Sequence, residues 1–243
     1  MRAGLKKFFL LIIFAAMFSQ ESFAESIINT VQNSLPAIVS IRAEIQNAAA
    51  SKPSAVKDPR TGRYVVARHL QTRSIERFGA GVVIDPSGII VTNIHTIYNA
   101  NKIEVFFWDH TSTYAKVINL APSTDFALIK VSLDHPLKAI AFADSNQLQL
   151  GERVYNVGNS RLLKETISGG RVIGLGKSEK NPEETELFQI NMNLYKGDSG
   201  GPILNEDGKL VGLMVAKETQ ANRSAFAIPS NKILQHYQDY LKK

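Results

Sequence analysis

Two sets of six short apolar runs, each punctuated by turn residues, constrain this chain more than any other feature. The first set is Ala37–Ile45, Ala80–Ile84, Ile89–Asn93, Lys102–Phe107, Tyr114–Asn119 and Phe126–Val131. The second is Arg153–Val157, Glu165–Ile173, Leu187–Met192, Pro202–Asn205, Leu210–Ala216 and Ser224–Ile228. Runs of this length rich in β-branched residues read as strands. Asp85-Pro-Ser-Gly88 and Asn205-Glu-Asp-Gly208 carry the turn chemistry that closes hairpins. A connector near Leu133–Gly151 separates the sets. The pattern predicts an all-β fold of two six-stranded antiparallel β-barrels, about 35–132 and 150–228, since closure removes exposed strand edges. Apolar residues at helical spacing (Ile27, Ile28, Val31) predict a short N-terminal helix over Ser26–Asn33. A C-terminal helix is predicted over 230–241, with Ser230 as its N-cap.

Residues 1–24 read as a secretory signal, leaving 25–243 as the folded domain. Arg2, Lys6 and Lys7 precede the apolar run Phe8–Phe18, and Ser22-Phe23-Ala24 supplies small residues for cleavage near Ala24. That run is shorter than the roughly 20 apolar residues a bilayer span requires. The expected location is therefore exported, periplasmic or secreted. The chain has no cysteine, which excludes disulfide staples, thiol catalysis and thiolate metal sites, so stability must come from core burial.

The net charge of +6 is concentrated in an insertion over 46–78. There Lys52, Lys57, Arg60, Arg63, Arg68, Arg73 and Arg77 face only Asp58 and Glu76. A basic loop of this kind is either a solvated surface or, over 52–77, a weak docking surface for membrane headgroups, acidic polymers or another subunit. With no aromatic interleaving and no nucleic-acid motif, no nucleic-acid partner is expected. Gly174-Leu-Gly-Lys-Ser178 is not a phosphate loop, because Arg171 stands where that motif needs glycine.

Gly197-Asp-Ser-Gly-Gly-Pro202 carries the chemistry. A serine hydroxyl is a weak nucleophile that needs a base for its proton and donors for the oxyanion it creates. Glycines beside Ser199 allow the positive-φ turns that aim successive N–H groups at one point. His95 ends the run after the Asp85–Gly88 turn, and Asp125 opens the apolar strand Phe126–Val131. An aspartate there is expected to be partly desolvated and to hold the imidazole through its Nδ1–H. His95, Asp125 and Ser199 are the candidate base, acid and nucleophile.

Four blocks resemble the protease domain of the HtrA/Deg family, a branch of the trypsin-like serine proteases with the chymotrypsin fold. They are Val91-Thr-Asn-Ile-His95, Asp125-Phe-Ala-Leu-Ile-Lys130, Gly197-Asp-Ser-Gly-Gly201 with Leu204–Gly212, and Phe226-Ala-Ile-Pro-Ser230. Gln189 also stands at the family's usual distance before the nucleophile. The resemblance implies a serine endopeptidase acting on unfolded or extended exported polypeptides, with no metal or organic cofactor. It implies an oxyanion hole from the N–H groups of Gly197 and Ser199. It places Asn193 at the base of the specificity pocket, with Met192, Val215, Ala216 and Ala227 as walls. Val215, Ala216 and Lys217 would pair with substrate as an added strand. Homotrimers built through N-terminal residues are a further implication. Most members continue into PDZ modules; with the chain ending two residues after Leu241, a protease domain alone is expected. A catalytically weak, chaperone-like binding protein of the same fold is the alternative reading.

Two positions depart from the family pattern. Ile94 replaces a small alanine before the histidine, and Thr96-Ile97 replaces paired valines. Asp198 stands where asparagine is usual, and is expected to pair with Lys196 or solvent.

Overall fold

The Asp85–Gly88 turn shows how local chemistry builds the first sheet. Asp85 Oδ1 accepts the Ser87 N–H at 2.8 Å, and the Asp85 carbonyl accepts the Gly88 N–H at 3.0 Å. Gly88 closes the turn at φ 96°, a backbone region that favours glycine. The computed structural model describes residues 29–50, 54–57, 60, 64–67, 70–159, 165–176, 187–193, 195, 197–215 and 224–243. The proposed signal segment 1–24 lies outside the described residues. Among the described residues no helix is long and apolar enough to cross a membrane.

The turn joins β4 (Leu70–Asp85) to β5 (Ile89–Asn93), a strand buried along its whole length. With β1 (Ile38–Ala50), β6 (Lys102–Phe106), β7 (Ser112–Tyr114), β8 (Lys116–Ala121) and β9 (Phe126–Lys130), they form a seven-stranded antiparallel sheet ordered β7-β6-β1-β4-β5-β9-β8. The first half thus departs from six closed strands. The single strand predicted over Tyr114–Asn119 breaks at Ala115, whose N–H turns to the Ile103 carbonyl at 2.9 Å. Its halves pair with opposite ends of the sheet, so the two edges are joined covalently through one residue rather than by a hydrogen-bond ladder.

The second half is a closed barrel, β10-β11-β12-β15-β14-β13. Its strands are β10 (Arg153–Asn159), β11 (Glu165–Leu175), β12 (Phe188–Ile190), β13 (Pro202–Leu204), β14 (Leu210–Val215) and β15 (Ala225–Pro229). The Asn205–Gly208 turn closes β13 onto β14, with Gly208 N–H donated to the Asn205 carbonyl at 3.0 Å.

The 46–78 insertion is mostly strand, where its composition suggests a loop. β1 and β4 pair without a break from Ile38↔Val82 to Ala50↔Leu70, and β2 (Ser54–Lys57) pairs with β3 (Tyr64–Ala67) beyond them. The extension has little periodicity to read because residues 74–78 are all exposed, Ile75 and Phe78 included.

Two buried clusters hold the halves, and the first spans both: Ile41, Ile90, Phe126, Leu128 and Ile129 join Leu204, Leu213 and Ile228 of the barrel. Val154, Ile190, Ile203, Met214 and Ala227 centre the second. Residues 29–34 are helical and run into a 3₁₀ turn at Leu35–Ala37, with Val31 buried. A four-residue helix, α1 (Ile94–Ile97), follows β5. The C-terminal helix α2 (Ser230–Leu241) packs Ile233 and Tyr237 against the first core. Tyr237 also donates its hydroxyl to Asp85 Oδ2 at 2.6 Å. Burial and this carboxylate push the Tyr237 phenol up to about 12. Ser230 does not cap the helix: Pro229 occupies the N-cap, and the Ser230 hydroxyl donates to the Ala143 carbonyl at 2.8 Å.

Candidate active site

Strand pairing brings His95 and Asp125 together. β5 and β9 are in register as Asn93↔Phe126, so the residues just beyond each strand end meet. Asp125 lies at φ 56°, ψ 35°, a left-handed conformation that aspartate tolerates better than bulkier residues. Its carbonyl accepts Ile94 N–H and Asn93 Nδ2–H, each at 3.1 Å. Its carboxylate takes the His95 backbone N–H on Oδ1 at 3.1 Å and meets His95 Nδ1 with Oδ2 at 2.6 Å. An ionised carboxylate only accepts, so the Nδ1 partner carries the proton and Nε2 is left as the basic nitrogen. Asp125 keeps 37% of its side-chain surface exposed and His95 46%, more open than the expected desolvated aspartate.

The departures around His95 are absorbed by packing. Ile94 sits half-buried against the first core, Ile97 is buried within it, and Thr96 is 2% exposed. Most of the added volume is therefore packed into the first core.

Ser199 is held from both halves of the molecule. Its carbonyl accepts the Ala80 N–H from β4 at 2.8 Å. The next residue, Gly200, has φ 83° and donates to the Met214 carbonyl of β14 at 2.9 Å. A Cβ on Gly200 would lie 2.3 Å from the Ala80 carbonyl oxygen and 2.7 Å from Thr92 Oγ1, so only glycine fits between the halves. Thr92 Oγ1 itself donates to the Ala80 carbonyl at 2.7 Å. Gly79, beside Ala80, touches both partners: a Cβ there would meet Thr96 Cγ2 at 2.6 Å and the Ser199 carbonyl oxygen at 3.0 Å. The serine turn and the histidine turn thus converge on one glycine. Gly197 has φ 106°. Among the described residues neither the Gly197 nor the Ser199 N–H has an intramolecular acceptor.

Asp198 solves its partnering locally. It is fully buried, its Oδ2 accepts the Tyr195 N–H at 2.8 Å, and its own N–H returns to the Tyr195 carbonyl at 3.1 Å. Lys196, one of the partners expected, lies outside the described residues. Among the described residues Asp198 Oδ1 is buried without a hydrogen bond, as are both amide atoms of Asn156. Burial pushes the Asp198 carboxyl above the usual range, the Tyr195 N–H opposing it. An unfolded aspartate titrates near 3.9. The native state therefore binds the proton more tightly, and stability falls as pH rises from that value through the folded pKa. Asp198→Asn is expected to remove this cost. Thermal melts at neutral pH should show a gain of about 1–3 kcal/mol, and the gain should vanish below pH ~4. Equal melting temperatures across the range would refute a buried ionised Asp198.

Asn193 is exposed, Val215 is buried at the end of β14, and Met192 and Ala227 belong to the second core. Ala216 and Lys217 lie outside the described residues. Sequence patterns assign no part in the site to Gly79, Ala80 and Arg77, whose roles depend on contacts remote along the chain. Asparagine before a helical turn is a capping residue type, but the Asn93 side chain does not cap α1 and donates to the Asp125 carbonyl instead. Among the described residues no cluster of three or more His, Cys, Asp or Glu could hold a metal.

Comparison with known proteins adds to this geometry. The family model of the trypsin-like peptidase domain matches residues 79–213. The chain is 37% identical over 168 residues to periplasmic serine endoprotease DegP of Salmonella typhimurium, covering 67% of this chain and 35% of that one. It is 35% identical over 205 residues to periplasmic pH-dependent serine endoprotease DegQ of Escherichia coli K12, covering 81% of this chain and 44% of that one. The chain therefore spans less than half the length of these relatives. Among solved structures, a variant of the HtrA-type protease AlgW with a decapeptide superposes with TM-score 0.74 at 23% identity, over 89% of this chain and 67% of that one. That likeness speaks to the fold.

Proposed function

Because this chain belongs to the trypsin-like peptidase family, and within it to the HtrA type, we propose that it is a serine endopeptidase using Ser199, His95 and Asp125. The observation that carries this reading is the two-point grip of Asp125 on His95, through the backbone N–H and the ring Nδ1. It fixes the imidazole with Nε2 basic.

Ser199 Oγ attacks the scissile carbonyl carbon while His95 Nε2 takes its proton. The carbonyl electron pair moves to oxygen, and the N–H groups of Gly197 and Ser199 receive that oxyanion. The imidazolium, stabilised by Asp125, then protonates the leaving amine as the C–N bond breaks. Water repeats the sequence on the acyl-enzyme: His95 takes its proton, the hydroxide oxygen adds to the acyl carbon, and Ser199 regains a proton as it leaves. Gly197 at positive φ and the absence of intramolecular acceptors for both N–H groups among the described residues favour this oxyanion assignment.

The substrate is an extended polypeptide, laid as an added strand beside Val215–Lys217. The protein is exported and acts in the periplasm, where both curated relatives named above are placed by their names. Asn193 supplies no full negative charge, so the residue before the scissile bond is small or medium and apolar. In a peptide-library profile, cleavage is expected after such residues; strong preference for Arg or Lys would refute this pocket. The activity itself is tested with a fluorophosphonate that labels activated serines. Labelling of the wild type and none of Ser199→Ala is expected, and an unlabelled wild type would instead favour a non-catalytic binding protein.

A further inference from the structure

A four-residue helix cannot hold itself. α1 is a single turn, too short to satisfy its own terminal carbonyls, and it carries the candidate base. The Ile97 carbonyl accepts the Ala100 N–H at 3.0 Å. The carbonyls of His95 and Tyr98 are instead taken by one group from outside: Arg77 Nη1 lies 3.1 Å from the first and 3.0 Å from the second. Arg77 stands on β4 opposite Ala43, two residues before Gly79 and three before Ala80.

We propose that Arg77 is a positioning residue for His95, a role that rests on the endopeptidase reading above. Three residues within one short stretch of β4 then connect the reacting groups. Arg77 grips the carbonyl side of the His95 turn, Gly79 receives Thr96, and the Ala80 N–H holds the Ser199 carbonyl. The stretch is a ruler between base and nucleophile, held in an unbroken ladder with β1 from Arg77↔Ala43 to Ala80↔Ser40. A guanidinium suits the task because its donors are fixed in a plane and its charge persists at every working pH. Hydrogen bonds to a charged donor are also the stronger kind. Asp125 fixes the N–H side of His95, and Arg77 fixes the C=O side. Together they leave the imidazole little freedom to rotate away from Ser199.

The test compares wild type with Arg77→Gln, Arg77→Ala and Arg77→Lys. Glutamine and alanine are expected to lower kcat by about 10–100-fold, the scale of a small misplacement of a catalytic group. KM should stay unchanged, because Arg77 touches no substrate. Lysine, which keeps the charge and can still reach the two carbonyls, is expected to recover part of the loss. Proton NMR supplies a readout independent of turnover. The short His95 Nδ1–H···Asp125 bond should give a resonance far downfield of the amides, broadened or lost in the glutamine and alanine variants. Unchanged kcat in those variants would overturn the proposal. So would a loss of kcat that tracks a lower melting temperature while the downfield resonance persists. Failure of the endopeptidase reading looks different: the wild type would resist fluorophosphonate, while the NMR comparison would still report on Arg77.

Discussion

Ser199→Ala is expected to reduce peptide turnover by about 10⁶-fold, the scale of nucleophile loss in an enzyme whose catalytic residues act as a unit. Alanine removes the attacking oxygen and leaves the loop intact. The Ser199 carbonyl still accepts the Ala80 N–H, Gly200 still donates to Met214, and neither bond uses the side chain. Folding and substrate affinity should therefore survive, which makes kcat the quantity to measure. The residual rate should exceed that in water through binding and the oxyanion donors alone. A variant retaining most of the wild-type kcat would remove Ser199 from the mechanism.

Asp125→Asn should cost about 10⁴-fold in kcat, with KM little altered. The wild-type carboxylate accepts two hydrogen bonds from His95, one from the backbone and one from the ring. An asparagine side chain keeps one acceptor and gains two donors. If its oxygen stays on the backbone N–H, its NH₂ faces Nδ1 and forces the proton to Nε2. The ring then presents a donor to Ser199 where a base is required. The double variant Ser199→Ala/Asp125→Asn should be no slower than Ser199→Ala alone, because a holder for the base is idle without a nucleophile. Equal kcat for Asp125→Asn and wild type would show that the tautomer is set elsewhere. Additive losses in the double variant would show that Asp125 acts apart from Ser199.

Both predictions concern residues that the amino-acid pattern alone marks out, and the reason is local. Glycines crowd around Ser199, a proline-glycine turn precedes the strand that ends near His95, and Asp125 opens an apolar run. Other features are legible for the same reason. Ile89–Asn93 is continuously apolar up to Thr92-Asn93 and is wholly buried, and the helix bounds Ser230 and Leu241 match its pattern. The same local signals mislead where two roles compete for one residue. Ser230 looks like a cap, yet its hydroxyl serves Ala143, far away in sequence.

The strand-rich class, the two principal turns, the C-terminal helix and the identity of the candidate reacting residues all follow from the order of amino acids. Each depends on neighbours a few positions apart, where propensity and alternation act. Three features have no such local origin: the joining of the first sheet's edges through Ala115, the reach of the β1–β4 hairpin, and the grip of both halves on Ser199. They rest on contacts such as Ala80 with Ser199 and Arg77 with His95 and Tyr98. Their donors are backbone amides or an exposed guanidinium, which leave no hydrophobic period along the chain. They exist only once the two halves have been packed against each other.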